Sequence, residues 1–356
     1  MRMFTAFFCS LLTACVLATC LDGGGAQQLQ KKGAIIEWPA GLPVYDHVVI
    51  VVEENKDYEQ IINNPNAPYI NETLRKEGAN FTRMFGEEHE SQGNYFWLFS
   101  GDHQNVGFTD DIPTEAKNKN YPFKTPNLGA ALIAAGRSFK GYAEDLPAIG
   151  CTIDFALSPT KHKVYARKHV PWISFANVPN GKEIATSSNL RFADFPKDPK
   201  QFKDLPTVAF VIPNLDHDMH NPPKDLKTSI SNGDAWLKKN LDNYYEWAKK
   251  NNSLLIVTWD ECDSHLAGPT DPFVAPDDPQ FREKRNLIPT IFAGARVIPG
   301  NYDEGKGITH VNILRTLEAM YGLPRAGRQQ PNAAKGGIRD DYIIADVFEK
   351  TKEGAQ

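Results

Sequence analysis

Three short apolar runs, each passing straight into an acidic or histidine-bearing cluster, constrain this chain more than any other feature. The first is Val48-Val49-Ile50-Val51-Val52, followed at once by Glu53-Glu54-Asn55. The second, Thr207-Val208-Ala209-Phe210-Val211-Ile212, ends in Pro213-Asn214-Leu215-Asp216-His217-Asp218-Met219-His220. The third, Leu254-Leu255-Ile256-Val257-Thr258-Trp259, ends in Asp260-Glu261-Cys262-Asp263. Continuous rather than alternating apolar residues predict strands buried on both faces, as in a parallel sheet. A fourth run, residues 287–292, leads to Ala293-Gly294 without a polar cluster.

Helical patterns separate these runs. Residues 127–135 are Ala- and Leu-rich, with Pro126 before them and Gly136 after. Residues 234–250 space Trp236, Leu237, Leu241, Tyr244 and Trp247 on one helical face. Thr309 can cap a helix carrying Val311, Leu314, Leu317 and Tyr321, and Gly322 can stop it. Buried strands alternating with amphipathic helices predict an α/β fold, a three-layer sandwich around a central, mainly parallel sheet. A single domain over residues 27–356 with a polar C-terminal tail is expected, and residues 264–284, rich in Pro and Asp, read as a long loop.

The chain has 356 residues, 41% of them hydrophobic, and a formal net charge of -5. That is ample apolar material for a core, which excludes a disordered chain. The absence of a basic excess argues against a nucleic-acid binder. Residues 1–26 read as an export signal: Arg2, then an apolar run over residues 3–21, then Gly23-Gly24-Gly25-Ala26 as a cleavage region. Leu12-Thr13-Ala14-Cys15 also fits a lipoprotein box, which would leave Cys15 lipidated. The expected location is therefore secreted or periplasmic, with a lipid-anchored form as the variant. Cys151 and Cys262 are the two cysteines beyond this segment, and spacing does not say whether they pair.

An open α/β sheet binds its ligands beyond the carboxyl ends of its strands. Three strands here deliver Glu54 and Asn55, Asp218 and His220, and Asp260 and Glu261 to that edge. A carboxylate directly after a buried strand is costly unless paired or bound to metal, and three such clusters favour a shared metal site over separate helix caps. Ser91 opens an aromatic stretch, Tyr95-Phe96-Trp97-Leu98-Phe99, that reads as a helix ending at Gly101. A helix N-terminus favours an anion, so Ser91 is either a plain cap or a nucleophile beside a bound phosphate. No G-x-S-x-G elbow surrounds it.

These segments together resemble the phosphoesterase family that contains bacterial acid phosphatases and phospholipases C. The resemblance lies in Asp46-His47 with the run through Asn55, in His89-Glu90-Ser91-Gln92-Gly93-Asn94-Tyr95, and in Pro213-Asn214-Leu215 with His217-Asp218-Met219-His220. It continues in Gly233-Asp234, Thr258-Trp259-Asp260-Glu261 and His310 with Leu314-Arg315-Thr316-Leu317-Glu318, and spans residues 44–325. It implies an alkaline-phosphatase-like fold. It implies Glu54, Asn55, Ser91, Asp260 and Glu261 as metal ligands, with Ser91 as the catalytic nucleophile. His89 and His220 are implied as further catalytic groups, and Asp218 and His310 as substrate-binding ones. Glu90 departs from the family, whose members often carry Pro there. Asp260-Glu261 departs from the Asp-His pair of alkaline phosphatases and makes the site richer in oxygen.

The expected cofactor is a divalent cation: Ca²⁺, Mg²⁺, Mn²⁺ or Zn²⁺, with one or two ions left open. The expected activity is an exported acid phosphatase hydrolysing small phosphomonoesters through a phosphoserine. A phospholipase C or other phosphodiesterase is the alternative, and a non-catalytic metal- or ligand-binding surface lipoprotein is the reading from another class. A lipid-active enzyme should show an apolar rim or a membrane-binding region. Membrane contact is expected only through a lipid anchor or a phospholipid substrate, and oligomeric state is left open. Lys161, Lys163, Arg167 and Lys168 form a basic stretch that would steer an anion or be merely solvated. His162 and His169 within it read as solvated or hydrogen-bonded rather than catalytic, and Phe96 and Trp97 read as core.

Overall fold

A computed structural model describes residues 34–107, 109–222, 225–263 and 286–351. The export segment and the whole of the proposed 264–284 loop lie outside the described residues. The strands are β1 (His47–Glu53), β2 (Ala79–Phe81), β3 (Met84–Phe85), β4 (Phe139–Ala143), β5 (Phe155–Leu157), β6 (Lys163–Ala166), β7 (Asn189–Arg191), β8 (Val208–Ile212), β9 (Ser253–Trp259), β10 (Thr290–Gly294), β11 (Gly300–Tyr302) and β12 (Ile308–Thr309). The helices are the short turns α1 (Tyr58–Ile61) and α2 (Arg75–Glu77), then α3 (Ser91–Ser100), α4 (Leu128–Ala134), α5 (Leu226–Ala248), α6 (His310–Met320) and α7 (Pro331–Lys335).

Among the described residues, eight strands form one sheet in the order β11-β2-β10-β9-β1-β8-β4-β7. The block β9-β1-β8-β4-β7 is parallel throughout, and β10 joins it antiparallel. This is the mainly parallel α/β sheet that the apolar runs predict. Val48, Val49, Ile50 and Val51 have no exposed surface, as a strand covered on both faces requires. Each such side chain contributes about 1.5–3 kcal/mol of burial energy.

The chain crosses from one side of β1 to the other between β8 and β9. That reversal opens a crevice at the carboxyl ends of the three strands with polar sequels. The backbone ladder continues past the strand ends: Asp260 N–H bonds Glu53 O (3.0 Å), Glu54 N–H bonds Asp218 O (2.7 Å) and Lys56 N–H bonds Glu261 O (3.1 Å). The three loops are thus fixed to one another before any side chain acts.

Two boundaries differ from expectation. Helix α5 begins at Leu226 rather than at residue 234, because Asp225 accepts from Thr228 N (3.1 Å) and the buried Ile230 anchors the first turns. The polar stretch before residue 234 reads as a loop by propensity, and packing overrides it. The fourth apolar run joins the main sheet only from Thr290, since Pro289 lacks the N–H a ladder needs, while Leu287 before it forms an isolated bridge to Phe85. The helix expected at residues 127–135 is α4, with Asn127 accepting from Ala130 N as its cap. Thr309 caps α6 as expected. No disulfide links Cys151 and Cys262. Among the described residues, no helix is long and apolar enough to cross a membrane.

Candidate active site

Ser91 is the first residue of α3, whose ten residues are all buried. Phe96 and Phe99 pack edge-on against Phe175, and Phe99 also packs on Phe210 of β8, so the aromatic stretch is core, as expected. This packing fixes the helix end rigidly at the crevice. Ser91 Oγ lies 3.3 Å from Glu54 Oε2, 3.5 Å from Glu261 Oε1 and 3.4 Å from Lys168 Nζ. Residues from β1, β9, α3 and the segment after β6 therefore converge on one hydroxyl.

Glu54 is the hub. Its Oε2 also accepts from Asn55 Nδ2 (2.9 Å), and its Oε1 accepts from Tyr95 OH (2.6 Å) and meets His169 Nε2 at 3.1 Å. Asn55 adopts a left-handed backbone (φ 50°), which Asn tolerates better than most residues. That turn aims its N–H at Asp260 Oδ1, 3.0 Å away. His89 Nδ1 lies 2.6 Å from Glu261 Oε2. Asp218 accepts from His220 N (2.9 Å) and faces His169 Nδ1 at 3.9 Å. His220 joins Ser91, Asn55, Lys168, Asp110 and Glu261 around a cavity of about 190 Å³. His310 is not among the residues lining the cavity; its Nε2 bonds Trp259 O (2.8 Å), the carbonyl directly before Asp260.

Glu54, Asp218, Asp260 and Glu261 are each at most 1% exposed. Burial raises all four carboxyl pKa values, Glu54 to about 7, and their mutual repulsion raises them further. Burial lowers those of His169, His89 and His220, which keeps the three rings uncharged near neutral pH. Burial opposes the Lys168 charge, but Glu54 and Asp110 more than offset it and hold its pKa above the usual lysine value.

Asp218 Oδ2 and Asp260 Oδ2 lack a hydrogen-bond donor, which is costly for buried oxygens. Ligand atoms of Glu54, His169 and Asp218 all lie within 4.8 Å of one another. Crowded buried carboxylates with donorless oxygens are what a divalent cation compensates. The donor set fits a metal ion. Glu54 belongs to two groups of donors, one with Ser91 and Glu261 and one with His169 and Asp218.

The Phosphoesterase family model matches residues 62–324. This chain belongs to the phosphoesterase family. The match begins after Glu54 and Asn55, so their place in the site rests on the geometry above. A phosphatidylinositol-3-phosphatase of Mycobacterium tuberculosis (strain ATCC 25618 / H37Rv) is 46% identical over 327 residues, 92% of each chain. An acid phosphatase of Aspergillus fumigatus is 26% identical over 287 residues, 77% of this chain and 54% of that one. A Vibrio parahaemolyticus protein of the alkaline phosphatase superfamily superposes with a TM-score of 0.51 at 12% identity, over 82% of this chain and 73% of that one. The alkaline-phosphatase-like fold and the hydrolase class expected from the sequence thus stand.

His169, Lys168 and Asp110 of this phosphoesterase site escaped the sequence reading. His169, read there as solvated or hydrogen-bonded, is 1% exposed and stacks on Tyr95 with ring centroids 5.0 Å apart. Lys168, read as one member of a basic stretch, is the cation beside Ser91. The available signal was the apolar frame around them, Val164-Tyr165 before and Val170-Pro171-Trp172 after, which buries a charged stretch. Other motif residues are structural. Asp234 accepts from Tyr69 N and Ile70 N, and Arg315 pairs with Glu318 at 2.6 Å in the interior.

Proposed function

We propose that this chain is an exported, divalent-cation-dependent phosphomonoesterase that works through a phosphoserine at Ser91. The carrying observation is the placement of Ser91 Oγ at the start of α3, between the Glu54 and Glu261 carboxylates and the Lys168 ammonium. In the first step Oγ bonds to phosphorus as the bond to the leaving alcohol breaks. The hydroxyl proton passes to a neighbouring carboxylate, and the alcohol leaves with a proton from water. Lys168 and the N–H groups of the first helical turn hold the phosphoryl oxygens. In the second step water attacks phosphorus as the bond to Ser91 Oγ breaks: His220, uncharged through burial, takes the water's proton and passes it to solvent, and the carboxylate returns the serine proton to Oγ.

Glu54, Asn55, Asp260 and Glu261 around Ser91, with Asp218 and His169 on the far side of Glu54, are the residues to hold the cation. What such an ion supplies is neutralisation of phosphoryl charge and a lower pKa for the serine hydroxyl. The oxygen-rich donors favour Ca²⁺, Mg²⁺ or Mn²⁺, while His169 admits Zn²⁺. The cavity suits one phosphoryl group, and the resemblance to a phosphatidylinositol-3-phosphatase points to phosphomonoesters on lipid headgroups. Residues 1–26 are proposed as the export signal. A reporter fused behind them should leave the cytoplasm, and retention inside would sink that part of the reading.

The test is hydrolysis by mature protein, stripped of metal and refilled, with p-nitrophenyl phosphate and p-nitrophenylphosphorylcholine side by side. Metal-dependent preference for the monoester is expected. Preference for the choline diester would replace the reading with a phospholipase C. Hydrolysis of neither, with metal bound, would favour a binding protein.

A further inference from the structure

The strands β5 and β6 form a two-stranded sheet of their own, apart from the main sheet. Its inner strand is anchored: Val164 and Tyr165 are buried, and Leu215 N bonds Val164 O at 2.8 Å. Its outer strand is not covered. Ile153 is 41% exposed, Phe155 46% and Leu157 51%, so three large apolar side chains face water within five residues. Single exposed apolar residues are ordinary, whereas a cluster on a projecting hairpin marks an interaction surface.

The charge around this cluster says what it meets. Lys161 and Lys163 are exposed at the end of the hairpin, and Lys163 Nζ stands 5.0 Å from the centre of the Phe155 ring. Among the described residues no carboxylate lies within ion-pair distance of either lysine, whereas Arg167 pairs with Asp154 and His162 with Asp216. Aromatic and aliphatic side chains flanked by unneutralised lysines match the boundary of an anionic bilayer. The molecule as a whole carries -5, so attraction to such a surface has to come from a local patch.

The hairpin is also joined to the catalytic wall. Strand β6 runs directly into the segment Arg167–His169, which presents Lys168 to Ser91 and His169 to Glu54. The bond from Leu215 to Val164 ties it as well to the loop carrying Asp218 and His220.

We propose that the β5–β6 hairpin is a membrane-docking element that seats Ile153, Phe155 and Leu157 in the headgroup boundary of an anionic bilayer, with Lys161 and Lys163 on its phosphates. It deepens the phosphomonoesterase reading, and rests on it, by naming a lipid surface as the place where the substrate resides. The apolar rim expected of a lipid-active enzyme is then this hairpin rather than an added module.

The test is co-sedimentation of the full mature chain with phosphatidylcholine vesicles, with and without phosphatidylserine, alongside hydrolysis of soluble p-nitrophenyl phosphate. Wild type should bind the anionic vesicles, and the Phe155→Ser/Leu157→Ser variant should bind at least about tenfold more weakly with unchanged p-nitrophenyl phosphate hydrolysis. Lys161→Gln/Lys163→Gln, which leaves the apolar packing alone, should lose about fivefold per lysine, and added salt should erase the difference. Absence of wild-type binding, or binding by both variants as tight as wild type, overturns the proposal. Loss of self-association instead of vesicle binding in the Phe155→Ser/Leu157→Ser variant overturns it in favour of a protein contact. Hairpin-dependent vesicle binding without any monoester hydrolysis would sink the phosphomonoesterase reading and leave the docking surface standing.

Discussion

Lys168 Nζ stands 3.4 Å from Ser91 Oγ, within reach to donate a hydrogen bond to it. Asp110 holds it there, accepting from Lys168 Nζ at 2.5 Å and from Gln92 N at 3.1 Å, so one carboxylate ties the lysine to the first turn of α3. Removing the cation while keeping the stem isolates its charge. Lys168→Met should lower kcat/KM for a phosphomonoester by roughly 10²–10³ with an unchanged circular dichroism spectrum. Asp110→Asn loosens both the lysine and the first turn of α3 and should cost about tenfold. Equal rates for wild type and Lys168→Met would remove the lysine from the reaction.

The crowded carboxylates predict a strong linkage between metal and stability. Only the folded chain gathers Glu54, Asp218, Asp260 and Glu261, so only it should bind the ion tightly. Stripping the metal should lower the melting temperature, and refilling should restore it by about 2.7 kcal/mol at a hundredfold excess over Kd. Asp260→Asn should reduce the bound metal measured by elemental analysis. Thermal scans that superpose with and without chelator would contradict this.

Glu87 gives a pH dependence apart from the cation-binding groups. Burial pushes its carboxyl up to about 8, although Thr309 and the Val311 N–H near the start of α6 favour the charged form. The folded state therefore holds a proton that the unfolded chain releases above the ordinary carboxyl value of 4.5. This contribution is complete below 4.5 and is lost as pH rises to about 8, at up to about 1.4 kcal/mol per pH unit. Glu87→Gln mimics the protonated form, so the stability difference between it and wild type should change over that window. A pH-independent difference in urea midpoints would refute the assignment.

Gly233 explains how a helix governs the site from outside it. A Cβ there would meet Met219 Cγ at 2.5 Å and His217 O at 3.1 Å, in the loop that carries Asp218 and His220. Gly233→Ala should cost about 1–3 kcal/mol through overpacking. It should also lower activity at temperatures where the variant remains folded, because the displaced loop carries site residues. Full activity with full stability would mean that the loop yields freely.

Much of this arrangement was legible in the residues. Buried parallel strands announce themselves as unbroken β-branched runs, and a carboxylate directly after such a run has few bland explanations. That logic brings Glu54, Asp260, Glu261 and Asp218 to one edge, and the aromatic run after Ser91 fixes a helix start. Lys168 and His169 were hidden because charge density reads as solvent exposure. Their burial depends on β6 folding onto the 213–220 loop, a long-range contact with no local period. His310 is the converse case: its position at a capped helix start was legible, but its bond to the Trp259 carbonyl joins residues 51 apart. Spacing alone does not predict such a contact.

Ser91 is expected to carry the phosphoryl group between the two steps. The most direct measurement of this is p-nitrophenyl phosphate hydrolysis by Ser91→Ala, purified with wild-type metal content and an unchanged melting profile. A loss of about 10³-fold or more in kcat is expected, with nothing rescued by added metal. A variant retaining a rate within about tenfold of wild type would contradict a serine nucleophile.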